Sequence, residues 1–150
     1  AAAIITRLGF GKTDVVQMLN GCIGGLVAIT AEPLMPSPLA AILIGAVGGI
    51  IVVYGTKFLL SMKIDDVVGA IPAHLFAGVW GTLAVPITNP DASFGTQLLG
   101  VISINAFVFI ISLIVWGIMK NTFGIRLSKD GELKGTDVTE TGVIAYAIRD

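Results

Sequence analysis

Apolar and polar positions fall along this chain in long blocks rather than in short alternation. Four apolar runs stand out: VVQMLNGCIGGLVAITA at 15–31, LAAILIGAVGGIIVVYGTKFLLSM at 39–62, VVGAIPAHLFAGVWGTLAVPI at 67–87 and TQLLGVISINAFVFIISLIVWGIM at 96–119. Each is close to the roughly 20 helical residues that cross a hydrocarbon core about 30 Å thick. Backbone amides in lipid must find partners within the chain, so helices are expected, and the period-2 alternation of a barrel strand is missing. EPLMPSP, with three prolines, separates the first two runs and cannot continue a helix. The expectation is an all-α integral membrane bundle: residues 1–14 as the end of a span and a loop, four transmembrane helices within 15–119, and a polar tail over 120–150. The opening AAAII reads as the end of a helix already under way, so the chain is expected to be the C-terminal portion of a longer membrane protein.

Charge orients these spans. With loops on alternating sides, one side collects Arg7, Lys12, Lys57, Lys63, Lys120, Arg126, Lys129, Lys134 and Arg149, all nine basic residues. The opposite loops, AEPLMPSP and TNPDAS, carry none. The positive-inside rule puts the basic side and the C-terminus in the cytoplasm of a multi-pass protein of the cell membrane, plasma or inner. Composition agrees: 55% of residues are hydrophobic and 13% charged, with a mean hydropathy of +0.92. A net charge of −1 offers no basic footprint for nucleic acid. The single cysteine, Cys22, excludes an internal disulfide and argues against a thiolate metal site.

Gly21 with Gly25, Gly45 with Gly49, and Ala77 with Gly81 have the small-xxx-small spacing that lets helix backbones approach closely. They predict tight packing within one bundle. Asn20 and Asn105, inside apolar runs, are expected to hydrogen-bond neighbouring helices.

The third run holds the only histidine of the chain, His74. On a regular helix its face holds Val67, Ala70, Ile71, Ala77, Gly78 and Gly81. None is a carboxylate, imidazole or thiol, so neither a metal site nor a catalytic group is expected there. Asp65 and Asp66 stand at the cytoplasmic start, where negative charge suits a helix N-terminus. An ionisable side chain at membrane depth is by default a functional one, and desolvation there favours the neutral imidazole. Pro72 deprives the Val68 carbonyl of its helical partner and predicts a kink.

These residues resemble a known family. The pair DD, a histidine nine residues after its first aspartate, and then GVWG are similar to the tenth span of the Amt/Mep/Rh ammonium transporters. NGCIGGLVAIT at 20–30 resembles the family's eighth span; GTQLLG at 95–100 and GTDVTETGVIAY at 135–146 continue the likeness in order. The resemblance implies an eleven-span fold of two inverted repeats, with this chain forming the second repeat from the end of span seven onward. It implies transport of ammonium or ammonia, with methylammonium as analogue, through a narrow apolar pore without a cofactor. His74 falls on one of two hydrogen-bonded pore histidines, whose partner belongs to the first repeat. Ala70, Ile71, Gly78 and Thr30 would line the pore, with Asp65 and Asp66 at its inner mouth. Gly69 departs from the pattern, since many members carry an acidic residue there. The resemblance further implies a homotrimer in the lipid bilayer, a PII-type regulator on the cytoplasmic face, and regulation through Gly135, Asp137 and Thr139 of the tail. An ammonium-sensing receptor of the same fold is the alternative, and a pore-less bundle a third reading. The tail motif at 135–146, similar to the family's own ending, leads to the expectation of transport rather than sensing.

Overall fold

The computed structural model describes residues 1–145. Tyr146, which ends the tail motif, and Arg149, counted on the basic side, lie outside the described residues. Every element described is helical: α1 (Ala2–Phe10), α2 (Val15–Ile29), α3 (Pro38–Ser61), α4 (Ile71–Thr88), α5 (Phe94–Thr122) and α6 (Lys129–Lys134), followed by a π turn at Asp137–Thr141. Two compact units result, Ala1–Asn105 and the remainder, with α5 beginning in the first and ending in the second.

Local chemistry sets the ends of these helices. Gly11, at φ 74°, closes α1 in the left-handed conformation that glycine adopts without strain. Asp14 then caps α2, its carboxylate accepting from the Gln17 N–H at 3.0 Å. Ser37 caps α3 through the Ala40 N–H, with Pro38 in the first turn, where its missing donor costs nothing. Helices α3, α4 and α5 are long and apolar enough to cross a membrane. The apolar run at 15–31 yields a 15-residue helix, about 22 Å long at 1.5 Å per residue.

The glycines sort as the spacing predicts. Gly25 of α2 faces the Gly45 carbonyl of α3, and a Cβ on Gly48 would stand 2.7 Å from the Gly24 carbonyl oxygen. Gly81 lies against the carbonyl of Ala28, which brings α4 against α2 beside α3. Val52, Val53, Ala77 and Ala84 fill the seams with at most 1% of their surface exposed. In lipid this close approach supplies the dispersion contacts that hold helices together. The Trp80 indole adds a bond to the Ile44 carbonyl at 3.0 Å, and across the outer loops the Asn89 amide donates to the Glu32 carboxylate at 3.1 Å.

Helix α5 is different: none of its residues is buried by this chain. A helix so apolar, most of whose surface this chain leaves exposed, is built for a nonaqueous surrounding. Asn105 does not reach a neighbouring helix as expected. Its amide donates to Val101 of its own helix at 2.8 Å, because no other helix comes close enough there to offer an acceptor.

Closest packing should be the least tolerant of added volume. Gly48→Ala is expected to cost about 1–3 kcal/mol, the usual penalty of overpacking, whereas Gly117, which has nothing within 4 Å, should accept alanine without loss. Thermal melting of the two variants in detergent checks the contrast.

Candidate functional site

The site grows from the chain that precedes α4. Helix does not begin at 67. Val67 and Val68 form a turn, Gly69 stands at φ +76°, and Ile71 is the first residue of a regular element. Asp66 explains the delay: its two carboxylate oxygens accept from the N–H groups of Ala70, at 2.9 Å, and Ile71, at 2.8 Å. Two of the donors that every helix start leaves open are thereby satisfied by one charged acceptor. Asp66 therefore caps, as its position predicts, while Asp65 is exposed. Pro72 lies in the first turn rather than at a kink inside the helix, and the Val68 carbonyl receives the Asn20 amide of α2 at 2.8 Å.

The first six residues of α4, Ile71–Phe76, wind as a π-helix with His74 in their midst. A π turn spans five residues instead of four, so the regular-helix face around His74 splits. Ala77 and Gly81, three and seven residues on, turn into the bundle against Gly24 and Ala28. His74 instead shares its side with Leu75, Gly78, Val79 and Thr82. Gly55 of α3 makes room for the other side of the π turn, since a Cβ there would stand 2.7 Å from Phe76 and 2.9 Å from Pro72.

Two depressions meet at His74. One of about 420 Å³, called inner because it adjoins the start of α4, lies between α2 and that start; its wall includes Asn20, Ile23, Val68 and Ala70. The other, called outer, of about 320 Å³, is bounded by α4 and the first turns of α5, with Gly78, Thr82, Gln97 and Asn105 in its wall. His74 belongs to both walls. The imidazole is exposed within this chain, so these helices alone do not supply the burial expected of it.

The predicted residues distribute unevenly over this geometry. Ala70 joins His74 in the inner depression and Gly78 joins it in the outer one. Ile71 lines neither, and its N–H serves the Asp66 cap. Thr30 ends α2 with its hydroxyl on the Val27 carbonyl at 2.7 Å and lines neither depression. Thr82 and Gln97 were not singled out from the sequence. Their signal was a pair of polar side chains near the outer ends of two apolar runs. Among the described residues no cluster of His, Cys, Asp and Glu could hold a metal ion.

Residues 1–146 match the Ammonium Transporter Family. The chain belongs to that family. Its relatives include the ammonium transporter Amt2 of Archaeoglobus fulgidus, 36% identical over 97% of this chain and 35% of the relative. The ammonium transporter Amt1 of Haloferax mediterranei is 34% identical over 97% and 29%, and ammonium transporter 3 of Dictyostelium discoideum 31% identical over 97% and 40%. The chain thus spans about a third of the length of the curated relatives it matches. These relatives are named as transporters, not as enzymes, which agrees with the absence of an expected catalytic group.

The described part of the polar tail, up to residue 145, carries local structure. Ser128 caps α6 through the Gly131 N–H, and Arg126 pairs with Glu132 through two hydrogen bonds. The Thr139 hydroxyl donates to the Gly131 carbonyl at 3.2 Å, and the Asp137 carboxylate accepts from the Ala145 N–H at 2.8 Å. Gly135, at φ 98°, ends α6 where a side chain would strike Asp137. The backbone N–H groups of Ala145 and then Val138 hold the Asp137 carboxyl below its ordinary value. A carboxyl lowered in the folded state stabilises above its unfolded pKa, about 3.9, and ceases to do so as pH falls through the folded value. Protection of the Ala145 amide, corrected for intrinsic exchange, should therefore be flat from pH 7 to 5 and fall only below about pH 4. In Asp137→Ala it should be low throughout, and amide exchange measured against pH reads both.

Proposed function

We propose that the intact protein moves ammonium, as ammonia or as ammonia with its proton, across the cell membrane along a path through both depressions with His74 at their junction. The observation that carries this reading is the sharing of one imidazole by an inner and an outer depression. An intact ammonium ion loses several kcal/mol of hydration in an apolar passage, whereas neutral ammonia loses far less. A neutral imidazole both donates and accepts hydrogen bonds, so it can hold ammonia once the proton has left. Potassium, which has no proton to give up, is excluded on the same physical ground. The exposed ring of His74 is consistent with a second histidine, from the first of two inverted repeats, completing the constriction.

In this reading Ala70 and Gly78 keep the walls low on either side of the imidazole, and Asp65 and Asp66 mark the inner mouth. Thr30 and Ile71 are assigned peripheral places along the path. The asymmetry of basic residues supports a cytoplasmic C-terminus. Assembly as a homotrimer and control by a PII-type regulator belong to the same reading. So does regulation through Gly135, Asp137 and Thr139: the Thr139 hydroxyl bonds Gly131 and the Asp137 carboxylate bonds Ala145, and modification of the Thr139 hydroxyl would undo the first of these bonds. Methylammonium uptake by the intact protein in proteoliposomes tests the proposal. His74→Ala should lower uptake at least about tenfold, the equivalent of about 1.4 kcal/mol in barrier height, and admit potassium. Unchanged uptake with unchanged selectivity would sink the role assigned to His74.

A further inference from the structure

Transport chemistry does not explain why a carboxamide from α2 reaches across to the backbone at the foot of α4. The Val68 carbonyl lies in the turn ahead of left-handed Gly69, before the helix begins, and so has no helical donor. Asn20 Nδ2 supplies one at 2.8 Å. The amide fits only because residue 69 is glycine: a Cβ there would stand 2.5 Å from the same nitrogen. Gly69 also carries φ +76°, which ordinary side chains resist. The turn that leads into the π-helix is therefore tied by Asp66 from within its own segment and by Asn20 from 48 residues away. His74 has no hydrogen-bond partner of its own among the described residues, so the aim of its ring depends on how this turn is set.

We propose that Asn20 is the positioning residue for His74, completing the Val68 carbonyl in the space that Gly69 leaves open and so fixing the π turn that carries the imidazole. Asn20 acts through the backbone: it bonds neither the ring nor a group attached to it. Asn20 and Gly69 form a matched pair, and a side chain at 69 displaces the amide. The proposal rests on the reading of His74 as part of the transport path.

Two measurements on the intact protein decide it. In amide exchange, Asn20→Leu should speed exchange of residues 69–75 by about tenfold, the ratio associated with one lost hydrogen bond, while α3 is unchanged. In proteoliposomes, Asn20→Leu and Gly69→Ala should each lower maximal methylammonium uptake per folded protein by a similar factor, with the half-saturating concentration unchanged. Their combination should cost no more than either alone. Unchanged exchange in Asn20→Leu overturns the proposal, as does an uptake loss in the double variant equal to the product of the two single losses. If His74→Ala itself transports like wild type, the pathway reading falls, and the exchange measurement still decides whether Asn20 holds the turn.

Discussion

The structure depends on one constraint, that every polar backbone group at the foot of α4 must find a partner. The residues before Pro72 cannot be helical while Gly69 is left-handed. Asp66 takes the open N–H groups and Asn20 the open carbonyl. The Asn20 bond ties α2 to the foot of α4, and the contact of Gly81 with Ala28 holds the same two helices further along.

That constraint is also what makes the site. A regular helix from residue 67 would place Ala77 and Gly81 beside His74. The π turn shifts the register by one residue, sends those two into the bundle, and leaves His74 at the edge where two depressions meet. π turns inside helices are frequent at functional positions, and here the reason is geometric. The bundle takes its small residues inward and leaves the imidazole at its edge.

Much of this was legible in the chain. The apolar runs and the glycine spacings depend on neighbours within a few residues and could be seen in the sequence, whereas the Ser37–Pro38 helix start was taken as part of the break before it. The π turn could not be seen, because it depends on Asp66 reaching past Gly69 and on Asn20 arriving from a distant segment. Asn105 was misread because no neighbouring helix in this chain comes close enough to offer an acceptor, and its amide turns to the Val101 carbonyl of its own helix. The local structure of the tail escaped notice because its ties, Thr139 to Gly131 and Asp137 to Ala145, join residues eight apart that carry no hydrophobic pattern. Of the site, His74 was found as an anomaly of composition, Ala70 and Gly78 as its neighbours, and Thr82 and Gln97 only through the fold.

The central claim is that His74 divides two depressions reached from opposite sides of the membrane. Single cysteines at Ala70→Cys and Gly78→Cys, in intact protein with Cys22→Ser, test it with a membrane-impermeant thiol reagent applied to either face. The account predicts labelling of the Ala70→Cys protein from the side carrying the basic loops and of the Gly78→Cys protein from the other. Labelling of both from one side contradicts it.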